Sequence, residues 1–281
     1  MIKKGLEHIK KNGIHNIKKM DKPINLFGRA VMDTATSLGE VTILVQQTTY
    51  WISKGVIDWK NTVAQMVEVG VRSFPVIALT SLFTGMVLAL QSGASSKNIF
   101  NEPVYIGTIV GFSLIKELGP VLTAIVISGR VGASIAAELG TMNVTEQLDA
   151  LYTLGTNPVR YLAVPRFLAC SLMVPLLTVL ANIIGILGGL VVTVFSWGVP
   201  SSVYWDDIFN YMDVQSLAHG LIKSVFFGVI IVTIACYKGF HCEGGAEGVG
   251  KATTSSVMMA MVLILISDYF LSALLVALRI A

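Results

Sequence analysis

The sequence predicts an all-α polytopic membrane protein, and three observations carry that reading. Of 281 residues, 54% are hydrophobic and only 13% charged, about half the charge of a typical soluble domain. Mean hydropathy is +0.72. Apolar stretches recur at 74–92, 104–128, 165–197, 217–237 and 257–278, and about 20 such residues cross a hydrocarbon core.

The N-terminus comes first. Residues 1–30 hold eight lysines and arginines against Glu7 and Asp21. A secretory signal would run from a short basic region straight into an apolar one. Here the lysines continue to Lys22. A basic arm on an anionic cytoplasmic leaflet fits this pattern, and nucleic acid is a poor partner for so apolar a chain. Residues 24–54 then mix apolar and polar positions at helical spacing and end near Tyr50 and Trp51. That is the pattern of an amphipathic helix lying in the interface. A second amphipathic piece, DWKNTVAQMVEVGVRS, leads to Pro75.

Five spans follow. The first is the most polar, with Thr80, Ser81, Thr84 and Gly85, so 74–92 either crosses or forms a re-entrant hairpin with 104–115, buried in protein. The third, 165–197, is too long to stand upright. It tilts, bends near Pro175 or begins in the interface. The run GILGGL at 185–190 suits close helix packing, with a dimer seam as one use.

Charge sets the topology. Segment 198–216 carries Asp206, Asp207 and Asp213 without Lys or Arg, whereas 129–164 and 238–256 carry Arg130, Arg160, Lys238 and Lys251. The positive-inside rule places the N-terminus and the two basic loops in the cytoplasm. Five spans then leave the C-terminus on the outer side.

The loop GRVGASIAAELGTMNVTEQLDALYTLGTNPVRYLAVPRF is the most informative stretch. Asn143 stands as N-cap of a short helix, with Glu146 three residues on in a capping-box pattern. Val144, Leu148 and Leu151 share one side of it, while Glu146, Gln147 and Asp149 face elsewhere. Either this helix packs on the bundle as a plain loop helix, or it docks on a cytoplasmic partner.

The motifs E-L-G-P, G-R-x-G, A-E-L-G-T-M and T-E-Q-L-D-A-L together resemble the MlaE/YrbE family, the membrane subunits of MCE-type lipid ABC transporters. The resemblance runs loosely from about residue 55 to 278, which sets 55–281 apart as a permease domain from the arm and interfacial helix of 1–54. It implies that Thr145–Leu154 is a coupling helix on a separate ATPase. Glu138, Thr145, Glu146, Gln147 and Asp149 become polar contacts to that partner, and Leu148 and Leu151 apolar ones. It also implies a homodimer, an MCE-domain partner, a phospholipid or related lipid as cargo, and a bacterial inner membrane. ATP and Mg²⁺ would sit on the partner ATPase, with no cofactor on this chain.

Lys116 and Glu117 lie inside the second apolar segment. A charge there costs ~2.5–3.5 kcal/mol on insertion scales, so such groups pair or line a cavity. Adjacent residues point about 100° apart on a helix and cannot simply neutralise each other. Asp268 and Lys223 are candidate partners, and Pro120 frees a carbonyl and permits a bend. The resemblance places Lys116 and Glu117 at the lipid cavity. Lys116 stands where an arginine is expected there, keeping charge but losing the bidentate fork. Arg130, at the cytoplasmic end of this span, caps the helix, snorkels or takes part in coupling.

No catalytic constellation emerges. Cys170, Cys236 and Cys242 lack C-x-x-C spacing, and neither His219 nor His241 has a metal-ligand partner at helical spacing. A lipid-modifying enzyme would need a nucleophile, metal cluster or acid–base pair at one depth, and a stand-alone transporter two similar halves. Residues 245–251, GAEGVGK, match G-x-x-x-x-G-K, but Ala252 occupies the hydroxyl position and apolar spans flank the stretch. A phosphate loop needs a strand before it. The reading here is a glycine-rich cytoplasmic turn, with ATP held by another chain.

Overall fold

The computed structural model describes residues 32, 35–55, 57–100 and 102–278, with no strand among them. Five helices are long and apolar enough to cross a membrane: Trp59–Ile99, Ile106–Val144, Val159–Trp197, Val214–Phe240 and Gly245–Ala277. They are the first to fifth spans below. Gln47–Ala281 forms one compact unit. The described residues up to Gln46 belong to a second unit and are helical from 35. The basic arm and the start of the expected interfacial helix lie outside the described residues. The helical run from 35 closes at 53, where Lys54 Nζ lies 4.5 Å over the Tyr50 ring and the Arg160 guanidinium 5.4 Å over Trp51.

The first span is long enough to cross and has no break of the kind a re-entrant hairpin needs within 74–92. Phe74–Phe100 is unbroken helix, and Pro75 sits in its first turn, where a missing N–H costs nothing. The polar residues that weakened this segment satisfy themselves: Thr80 Oγ1 donates to Val76 O at 2.9 Å and Thr84 Oγ1 to Thr80 O at 2.8 Å. Gly85 lies directly against Gly185 O, and Gly188 against Leu82 O. The small residues of GILGGL are therefore a seam within the chain, between first and third spans. A Cβ at Gly85 would enter the space of the facing backbone.

Two expected loops are helix. The second span has 39 residues, about 58 Å at 1.5 Å per residue against a ~30 Å hydrocarbon core. It continues from 129 to Val144, through residues assigned above to a loop, because SIAAEL turns polar without losing helix propensity. The fifth span starts at Gly245, twelve residues before the expected 257. GAEGVGK is thus its first two turns and not a glycine turn. The actual turn is 241–244, where Gly244 has φ 90 and Gly245 φ 67, a region that suits glycine. The third span also begins early, at Val159, and runs through Pro175 unbroken from Val164 to Trp197.

At the opposite end, the acidic stretch holds a helix, Ser201–Tyr211. Tyr204 is buried and donates its hydroxyl to Ile186 O at 3.0 Å. It packs with Ile106, Val110, Ile186 and Ile208 into a core that closes this end of the bundle.

Candidate functional site

The middle of the second span is a π turn, Leu114–Leu118, followed at once by Gly119 and Pro120. Wide turns of this kind gather at functional sites. Proline has no N–H to reach back one turn to Lys116 O. Lys223 Nζ, on the fourth span, lies 3.3 Å from that oxygen. Gly220, one turn before Lys223, lets the fourth span close on this bend, since a Cβ there would strike Ile115 O.

Lys223 is wholly buried, 0% exposed. It meets Glu117 Oε2 at 2.5 Å and Asp268 Oδ1 of the fifth span at 3.0 Å. Ser272 Oγ lies 3.3 Å from Glu117 Oε1. The expectation that Glu117 finds Lys223 or Asp268 is met by both, through one shared cation. A charged group at this depth persists only with such compensation. Lys116 is treated differently. Its Nζ sits 4.3 Å over the ring of Phe112, a half-exposed side chain, and it forms no ion pair among the described residues. A cation over an aromatic face keeps part of its stabilisation and stays open to an anion. One π turn thus carries a half-exposed carboxylate paired to Lys223 and, beside an exposed ring, an ammonium with no ion pair among the described residues.

The other end of the second span carries the rest. Arg130 neither caps its own helix nor snorkels free. Its Nη1 donates to Ser73 Oγ at 2.6 Å and Glu68 O at 3.2 Å, and Nη2 lies 3.5 Å from Glu68 Oε1. It staples the second span to the corner where the first span bends through the π turn Val67–Val71. Two turns further, Glu138 Oε2 is held at 2.7 Å by Arg166 of the third span, whose side chain is 3% exposed. Glu138, expected to face a partner, is thus already engaged within the chain.

The segment expected to couple differs from the capping-box reading. Asn143 lies in the last turn of the second span, and its Nδ2 donates to Cys242 O at 2.8 Å, tying this end to the turn between the fourth and fifth spans. Thr145 hydrogen-bonds back to Thr141 O at 2.8 Å. Glu146 adopts the left-handed region, φ 59, and the helix is shorter, Gln147–Thr153. A side chain taken by another helix cannot cap its own. Leu148 is buried at 6%, so it packs on the bundle, and Leu151 is half-buried. The outward apolar groups are Tyr152, 59% exposed, and Leu154, 77% exposed. Glu146, Gln147 and Asp149 are exposed as expected. Tyr152, Leu154, Arg166 and Ser272 escaped sequence reasoning; an arginine entering an apolar run was the one signal for Arg166.

The family model described as Permease MlaE matches residues 62–274. The chain belongs to the MlaE permease family. A probable ABC transporter permease protein of Rickettsia typhi is 41% identical over 89% of this chain and 96% of its own length. Another, of Synechocystis, is 44% identical over 79% of this chain and 84% of its own. The Arabidopsis thaliana protein TRIGALACTOSYLDIACYLGLYCEROL 1, chloroplastic, is 38% identical over 83% of this chain and 66% of its own length. The matched span of this MlaE permease contains the Lys223 cluster, the Arg130 staple and the coupling segment together.

Proposed function

We propose that this permease is the membrane subunit of an ATP-driven lipid transporter of the bacterial inner membrane. It works as two copies, with a separate cytoplasmic ATPase holding ATP and Mg²⁺ and an MCE-domain protein on the outer side. The observation that carries this is one continuous helix, Ile106–Val144. It bears the charged π turn at membrane depth and ends in the exposed coupling segment. Motion imposed on Gln147–Thr153 by an ATPase reaches Lys116 and Glu117 along a single rigid element.

The lipid reading rests on Lys116, whose unpaired ammonium beside exposed Phe112 suits a phosphate headgroup above its acyl chains. A plant relative that carries the name of a galactolipid supports the same class. The fifth span is the least covered of the five, with Leu265, Tyr269 and Phe270 outward, and a second copy of the chain accounts for that face. The positive-inside rule applied to the basic segments supports a cytoplasmic N-terminus and a C-terminus outside.

The test is co-purification of an ATPase with the permease and its co-expressed neighbours. Replacing Glu146, Tyr152 and Leu154 together by alanine should release the ATPase and leave the permease folded in the membrane. ATPase retained by that variant removes the coupling role. Should no ATPase bind the wild type, and the chain alone move lipid between vesicles, the transporter-subunit reading fails.

A further inference from the structure

The groove between the fourth and fifth spans holds two cavities of opposite character. One, about 340 Å³, lies at the turn 241–244, with Lys238 and His241 of the fourth span and Lys251 and Ser255 of the fifth on its walls. The other, about 350 Å³, is formed by Ile230 of the fourth span with Leu263, Ile266, Ser267 and Phe270 of the fifth. Its one hydroxyl, Ser267 Oγ, donates to Ile264 O of its own helix at 3.0 Å, so the second cavity is apolar.

Helix geometry puts both on one side of the pair. Ile230 and His241 are 11 positions apart on the fourth span, about 20° of rotation at 3.6 residues per turn. Ala252, on the wall of the polar cavity, and Phe270, on that of the apolar one, are 18 positions apart on the fifth span, five whole turns. From Lys238 to Ile230 is eight residues, about 12 Å along the axis and less than half of a ~30 Å hydrocarbon core. That is the arrangement of a phosphate and its acyl chain within one leaflet.

The charges at the turn suit one negative group. Lys238 Nζ lies 5.6 Å from the centre of the Tyr237 ring and has no ion pair among the described residues. Lys251 meets Glu247 at 2.6 Å, but both side chains are more than three-quarters exposed, and such a surface pair contributes little. His241 Nδ1 lies 2.9 Å from Tyr237 O, which only accepts, so that nitrogen carries a proton. Glu243 is the one acid on the wall. Two ammoniums against one carboxylate leave a single positive charge, which one phosphodiester matches.

We propose that this groove holds one phospholipid as a resident ligand, its phosphate on Lys238 and Lys251 and an acyl chain along Ile230, Leu263 and Ile266. Basic pockets between membrane helices take lipid headgroups in this way. The fifth span is then shared: Leu265 and Tyr269 lie on the side assigned to the second copy, and Phe270 borders both. The site is separate from Lys116, which stands beside Phe112 on the second span. Asn143 Nδ2 donates to Cys242 O in the same turn, so the lipid braces the end of the second span from which Gln147–Thr153 departs.

Native mass spectrometry of the full chain in detergent, titrated with phosphatidylglycerol, tests this. Lys238→Gln and Lys251→Gln should each weaken binding about fivefold, roughly the value of one cation near a lipid surface. Ser267→Leu fills the apolar cavity and should weaken it too. Lys97→Gln removes an exposed cation from the last turn of the first span and should change nothing. Unchanged binding in both lysine variants or in Ser267→Leu, or an equal loss in Lys97→Gln, overturns the site. A second measurement on wild type guards against variants that fail to fold. Phosphatidylglycerol with a photoreactive group in its acyl chain should label peptides containing Ile230 or 263–270; label confined to other spans overturns the proposal. Inorganic phosphate at equal concentration should not displace the lipid, and displacement would make the turn a free-anion site and overturn the lipid assignment. Neither measurement involves ATPase or transport, so failure here leaves the transporter reading standing.

Discussion

Arg166 and Glu138 join the third and second spans at 2.7 Å, with the guanidinium almost wholly buried and the carboxylate half exposed. The asymmetry decides what each substitution does. Glu138→Ala strands a buried cation whose one remaining acceptor is Leu162 O at 2.8 Å. Stranding a buried polar group costs about 1–3 kcal/mol, more for a charge. Arg166→Met leaves Glu138 solvated and fills the space with an apolar chain of similar length. Thermal unfolding in detergent should therefore show a larger loss for Glu138→Ala than for Arg166→Met. The double variant should recover part of the Glu138→Ala loss.

Gly85 and Gly185 test the seam between first and third spans. A Cβ on Gly85 runs into Gly185 backbone, which has no flexible end to give way. Gly85→Ala should lower the yield of folded protein and destabilise by at least the ~1–3 kcal/mol of core overpacking. Gly250, in the GAEGVGK stretch, is helical and has open space around it. Gly250→Ala should stabilise by up to ~1 kcal/mol, the usual helix preference for alanine. A phosphate loop would not tolerate that change. The comparison needs only melting curves of the two variants.

Spans were legible because each is a run of apolar side chains, a property local to the chain. Their ends were not. Arg130 is where polarity returns to the second span, yet ASIAAEL keeps the helix going, so polarity and helix end fall fourteen residues apart. Asn143 and Glu146 have capping-box spacing, but Cys242 O takes the Asn143 amide across 99 positions. The charged site was half legible. Polarity at membrane depth singled out Lys116 and Glu117 and suggested Lys223 and Asp268. That one ammonium serves two carboxylates, Glu117 lying 106 residues away, is set by helix packing. Arg166 was missed for the same reason, since its value lies in what the second span places opposite.

Leu148 and Tyr152 sit on one short helix with opposite duties. Leu148 is buried against the bundle, Tyr152 faces outward. Leu148→Ala should lower stability by ~2–5 kcal/mol, the range for truncating a buried leucine, and loosen ATPase binding only through that loss. Tyr152→Ala should leave the melting temperature unchanged and weaken ATPase retention. Melting curves and pull-down on the same preparations separate the two. Equal effects on both readouts from the two variants would refute the division.

Asp207 supplies a pH prediction at the acidic end of the bundle. Burial raises its carboxyl above the ordinary value of 3.8, with neighbouring Asp206 adding to the rise and the Gly107 N–H opposing it. The folded state therefore holds this proton more tightly than the unfolded chain. The resulting stability is fully present below the ordinary carboxylate value and is lost as pH rises through the raised one. Above that window the ionised side chain is a constant burden on the helix Ser201–Tyr211. Asp207→Asn keeps an oxygen for the Gly107 N–H and removes the charge. It should raise the melting temperature at neutral pH and leave it unchanged in acid below the ordinary carboxylate value. A gain of equal size in both conditions would mean that packing, not ionisation, limits this corner.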